Sequence, residues 1–132
     1  MKTLNFILLI VTGLLFVTCK KDSHTANVTL TGKWKLTESL LDPGDGSGKW
    51  QPVPASAVSV YVQFDNDGKL EGTAFPGYVS YVVKDSVTLT FTSKDNVLQN
   101  YRYAIKNDTI TMSPDGPIRC YEACGAKYVK EK

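Results

Sequence analysis

From Val28 onward the apolar residues of this chain recur at every second position, in short runs broken by turn formers about every eight to twelve residues. That period belongs to a strand, whose side chains alternate between two faces; a helix needs apolar spacings of three and four. Val28, Leu30, Gly32, Trp34 and Leu36 share one face of a first strand, with Thr and Lys on the other. Val58, Val60, Val62 and Phe64 repeat the pattern, Asp65-Asn66-Asp67-Gly68 supplies a tight turn, and Lys69 to Thr73 returns as the partner strand. Val79, Tyr81 and Val83 form one face; so do Val87, Leu89 and Phe91, then Tyr101, Tyr103 and Ile105, then Ile110 and Met112. A last, interrupted strand is expected between Ile118 and Val129.

A meander of about eight strands either leaves two edges open or closes on itself, and closure removes the unpaired backbone groups that invite aggregation. Every connection but the first is short enough for a hairpin. The expectation is therefore an all-β, eight-stranded antiparallel up-and-down β-barrel, with a two-layer sandwich as the other arrangement of the same strands. A barrel of that size is just wide enough to fill with side chains or to hold one small ligand.

The segment before the domain has its own logic. Lys2 precedes an apolar run from Leu4 to Val17, which ends at Cys19 and the charged Lys20-Lys21-Asp22. The run falls short of the roughly 20 residues that span a bilayer and suits a cleaved export signal. Leu15-Phe16-Val17-Thr18-Cys19 resembles the box of bacterial lipoprotein signals, whose cysteine takes a diacylglycerol on its thiol and an acyl chain such as palmitate on its amine. The division expected is a lipoprotein signal peptide at 1–18, the lipidated cysteine and a polar tether at 19–27, and the domain at 28–132. An ordinary secretory peptide is the alternative for the leader. With two or more acyl chains the anchor would be effectively permanent, and the expected location is the outer membrane, facing the periplasm or the cell surface. His24, the one histidine, falls in the tether.

The chain carries 15 Lys plus Arg against 13 Asp plus Glu, and loss of Lys2 leaves a formal +1. Beyond the Lys20-Lys21 pair its lysines are scattered singly, which argues against a nucleic-acid partner. Catalysis finds no foothold either: no histidine in the domain, no G-x-S-x-G elbow, no phosphate loop, and acids placed mostly in turns. No enzyme activity, cofactor or metal is expected.

Two local features remain. Cys120 and Cys124 are expected to pair in an oxidising compartment. On a straight strand they would lie about 13 Å apart, beyond disulfide reach, so pairing requires a turn at Tyr121-Glu122-Ala123. The long connection Leu40 to Ala57 holds Asp42-Pro43-Gly44-Asp45-Gly46-Ser47-Gly48-Lys49-Trp50. It reads as a plain structured loop; a second reading gives Asp42, Asp45 and Ser47 a Ca²⁺ ion, although the spacing departs from the known calcium loop and only two carboxylates are local.

Gly32-Lys33-Trp34 at the start of the first strand resembles the G-x-W signature of lipocalins, and GKWKLTESLLDPGDGSGKWQPV, FDNDGKLEGT and RCYEACGAKYVKE resemble lipocalin-like lipoproteins of Bacteroidota. The resemblance implies a barrel closed at one end by Trp34 with an arginine stacked on it, for which Arg119 in the last strand is the preferred candidate. An exposed surface arginine is the other reading of Arg119. The resemblance also implies that the first long loop lies over the open end with Trp50 toward the ligand space. On that basis the chain is expected to bind a small hydrophobic or amphipathic ligand, with Trp50, Phe75, Tyr78, Tyr101 and Tyr103 lining or rimming the cup. A filled barrel acting as an interaction module of the envelope is the alternative.

Overall fold

The computed structural model describes residues 30–132. The expectations for the signal, Cys19, the tether and Val28 lie outside the described residues. Among the described residues the strands are nine: β1 (Gly32–Leu41), β2 (Trp50–Pro52), β3 (Tyr61–Phe64), β4 (Leu70–Gly72), β5 (Tyr78–Val83), β6 (Thr88–Ser93), β7 (Leu98–Lys106), β8 (Thr109–Pro114) and β9 (Cys124–Lys130). All pairs are antiparallel, in the order β4-β3-β1-β9-β8-β7-β6-β5. The two ends of that path meet. A bridge joins Lys69 to Ser80, and the Tyr81 N–H donates to the Gly68 carbonyl at 2.8 Å. The chain is thus a nearly closed antiparallel barrel of eight strands, with β2 as an added ninth.

β2 escaped the sequence reading because three residues in a Gly- and Pro-rich stretch carry no period. It forms because β1 is long and changes partner along its length. Gly32 to Lys35 pair with β3, whereas Glu38, Ser39 and Leu40 face Pro52, Gln51 and Trp50 of β2. Between them a bulge at Leu36/Glu38 shifts the register on β9 and bends the strand.

Alternation puts Trp34, Val62, Phe64, Leu70, Leu89, Phe91, Tyr103, Ile110, Met112 and Tyr128 inside, joined by Leu30 below β1. Three valines depart from the expected faces. Val58 precedes β3 and is exposed; a bulge between Tyr78 and Ser80 turns Val79 outward and leaves Tyr78 and Tyr81 against the core; Val87 lies in the β5–β6 turn and is half exposed.

The two barrel ends differ in kind. The base carries Leu30, the start of β1, the Asp65–Gly68 turn, the β5–β6 turn and the β7–β8 turn. The other end, the mouth, carries the 42–60 connection, the 73–77 turn between β4 and β5, the 94–97 turn and the 115–123 connection. Gly68 in the base turn has φ +85°, which the Asp-Gly spacing anticipated.

Candidate functional site

At the base, Trp34 is wholly buried and its indole N–H donates to the Leu30 carbonyl at 2.7 Å. The cation beside it is Lys130, whose Nζ lies 5.2 Å from the ring centroid; strand pairing sets Trp34 opposite Lys130. Arg119, expected there, is instead exposed at the mouth, bridged to Asp115 and lying along Gly116. The correction has a simple cause: β9 begins only at Cys124, so Arg119 belongs to the connection and never reaches the base. Gly32 completes the arrangement, since a Cβ there would come within 2.9 Å of the Lys130 stem.

Above the base the interior is packed with aromatic rings centred on Phe91. It meets Phe75 at 5.0 Å edge-on, Tyr101 at 4.7 Å, Tyr78 at 6.0 Å and Phe64 at 6.1 Å between centroids. Phe75 comes from the β4–β5 turn and also meets Tyr101 at 5.0 Å.

Space remains between this cluster and the mouth. A cavity of about 240 Å³ is bordered by Phe75, Tyr101, Met112, Pro114, Ala126 and Tyr128, with Leu40, Cys124 and Gly125 at its rim. The lining bears no charged side chain. Burial pushes the Tyr101 phenol up to about 12 and the Tyr128 phenol further still, so both are neutral hydroxyls at physiological pH.

Of the aromatics expected at the cup, then, Phe75 and Tyr101 border the cavity. Tyr78 touches Phe91 but does not border it. Tyr103 is buried toward the base, where its hydroxyl donates to the Asp85 carbonyl at 3.5 Å. Trp50 lies on the outer wall: β2 sets it beside Leu40, its ring edge reaches the outward side of Gly125, and the Lys127 ammonium sits 4.1 Å over it while pairing with Glu38 at 2.9 Å. The loop carrying Trp50 thus clasps β1 and β9 from outside. Sequence reasoning missed Tyr128, Met112 and Ala126 as lining residues. Cys124, Ala126 and Tyr128 share one parity of β9, a signal hidden by treating the last strand as beginning at Ile118.

Gln99, buried to 1% exposure, holds the connection between β8 and β9. Its amide N–H groups donate to the Ile118 and Asn100 carbonyls at 2.8 and 2.9 Å, and its carbonyl accepts the Ile118 N–H at 3.0 Å. Cys120 and Cys124 form the expected disulfide, with Cα atoms 6.1 Å apart, across a turn at 121–123. Asp42 and Asp45 spend their carboxylates on the loop itself. Asp42 accepts from the N–H groups of Gly44, Gly46 and Gly48, and Asp45 from that of Ser47. Among the described residues no three His, Cys, Asp or Glu side chains gather to hold a metal.

The chain matches no protein-family model and no curated protein. Its class rests on the barrel and the cavity.

Proposed function

We propose that this chain is an envelope-anchored, lipocalin-like lipoprotein that binds a small hydrophobic or amphipathic molecule in the mouth of its barrel, without catalysing a reaction. The observation carrying this reading is the cavity bordered by Phe75, Tyr101, Met112 and Tyr128, because apolar concavities with few polar groups are where small ligands settle. G-x-W at the start of β1, with Trp34 buried at the opposite end, supports the lipocalin resemblance. The leader and Cys19 support anchoring to the outer membrane, on the periplasmic or surface side.

Native mass spectrometry of the protein purified from its own host tests the binding role: a co-purifying small molecule is the expected result. Loss of that species in Ala126→Leu, which puts atoms into the cavity, would place it there. An empty barrel, with no binder across a panel of lipophiles, would reject the reading. Anchoring is tested separately, since Cys19→Ser is expected to leave the membrane fraction.

One observation favours a second reading, an interaction module. Leu41, Val58, Ile118 and Tyr121 are exposed apolar side chains, all at the mouth end. Exposed apolar surface of this kind is found where proteins dock. If Ile118→Ser and Tyr121→Ser abolish function while ligand capture persists, the rim rather than the cavity is the working surface.

A further inference from the structure

Five tyrosines, Tyr78, Tyr81, Tyr101, Tyr103 and Tyr128, pack in or against the barrel core, and they divide by what their hydroxyls do. At the base, Tyr81 donates to the Asp65 carbonyl at 2.7 Å and Tyr103 to that of Asp85. At the mouth, neither Tyr101 nor Tyr128 makes a hydrogen bond to any of the described residues. Tyr128 is the sharper case: it is 3% exposed and borders the cavity. Every fully occluded side-chain polar atom among the described residues has a partner. A Tyr128 hydroxyl without one therefore keeps its free surface, and that surface belongs to the cavity. Buried polar groups normally find partners, and an exception in a cavity wall marks where another molecule supplies one.

Size and charge narrow that molecule. An apolar cavity of about 150 Å³ holds a six-membered carbon ring, so 240 Å³ scales to roughly ten non-hydrogen atoms. A long acyl chain could bury only one end there and would leave the rest of its apolar length in water. No cation borders the space to pair a carboxylate, since the nearby ammonium of Lys127 is engaged on the outer wall by Glu38 and Trp50. A charged ligand would be stripped of water without compensation.

We infer that the cavity takes a neutral, compact, ring-sized molecule bearing one hydrogen-bond-accepting oxygen, which receives the hydroxyl of Tyr128 and lies beside that of Tyr101. This rests on the small-ligand reading above and specifies its chemistry. The apolar body packs against Phe75, Met112 and Ala126, and the oxygen fixes orientation.

The probes are acetophenone, its hydrocarbon isostere α-methylstyrene, the anion benzoate and the long-chain dodecanoate, each titrated calorimetrically into the full chain as its host makes it. Acetophenone is expected to bind about fivefold or more tighter than α-methylstyrene, the value of one neutral hydrogen bond. Benzoate and dodecanoate are expected to bind more weakly than the ketone. Tyr128→Phe, which keeps the ring, is expected to erase the preference for the ketone while leaving the hydrocarbon's affinity and the melting temperature near those of the parent. Equal affinities for ketone and hydrocarbon, or a preference surviving Tyr128→Phe, would overturn this inference and leave the small-ligand reading standing. Tightest binding by benzoate or dodecanoate would overturn it too. If none of the four binds, this inference falls, while the small-ligand reading is decided by the native mass spectrum.

Discussion

Trp34 combines complete burial, an N–H bound to the Leu30 carbonyl and a ring bordered by Lys130, so its removal takes away packing and orphans a carbonyl together. Trp34→Ala is expected to cost about 3–5 kcal/mol, the usual range for an aromatic core truncation. In a domain of this size that lowers the melting temperature by roughly 12 °C or more. A near-native melting curve would deny it a core role. Gln99 does for the mouth what Trp34 does for the base, by a polar route. Gln99→Leu preserves bulk but leaves the Ile118 N–H without a partner and the Ile118 carbonyl with the Gly116 N–H alone, at about 1–3 kcal/mol, since water can reach them in part once the connection loosens. Urea denaturation should show the loss, and limited proteolysis should show faster cutting between 117 and 123. An unchanged urea midpoint would mean that the disulfide alone holds the connection. Neither the Lys130 contact nor the Gln99 clamp was legible in sequence. Each depends on which residue ends up opposite which after the chain has closed, and the lipocalin resemblance supplied Arg119 where strand register supplies Lys130.

The β1–β2 connection is ordered by one carboxylate. Asp42 gathers three glycine N–H groups, and Gly48 approaches so closely that a Cβ there would lie 2.7 Å from the Asp42 Cβ. Those donors hold the Asp42 carboxyl below its ordinary range, and the Ser47 N–H and hydroxyl and the Val87 N–H do the same for Asp45 and Asp85. A carboxylate whose folded pKa is depressed adds stability that is present above its unfolded value near 3.9 and disappears as pH falls through the folded value. Asp42→Asn removes the titration while keeping one acceptor. In urea unfolding at pH 7 and pH 2.5, the variant is expected to be the less stable at neutral pH, with the gap to the parent narrowing in acid. A gap of the same size at both values would assign the effect to shape rather than charge. The elements themselves divide along similar lines. Strands with a clean period, such as β3, β6 and β8, could be read directly, whereas β2, the bulges in β1 and β5, and the late start of β9 are set by pairing. The cup suffered most from this: Trp50, placed by resemblance over the mouth, is drawn to the outer wall because β2 pairs with the upper half of β1.

At the scale of the barrel, the hairpin order anticipated closure, and the strand path bears this out with β1 joining both β3 and β9. What the order left open was how unevenly the wall is sewn. β1 runs along β9 from Trp34↔Lys130 to Leu41↔Cys124, and β7 along β8 from Tyr101↔Pro114 to Lys106↔Thr109. At the seam, by contrast, three-residue β4 meets β5 through the Lys69↔Ser80 bridge and the Tyr81 N–H on Gly68. Local opening starts where few backbone bonds and little apolar burial must be given up. The seam offers both, since Glu71, Gly72 and Val82 are exposed and Leu70 alone of β4 enters the core. Native-state amide exchange is therefore expected to release β4 and β5 first, as one cooperative step, with β7, β8 and β9 exchanging last and together. Slow exchange across the seam, or early loss of protection in β9, would mean that the ring contacts of Phe64 in β3 with Tyr81 in β5 and Phe91 in β6, which span the seam from inside, hold the wall shut more firmly than its backbone bonds do.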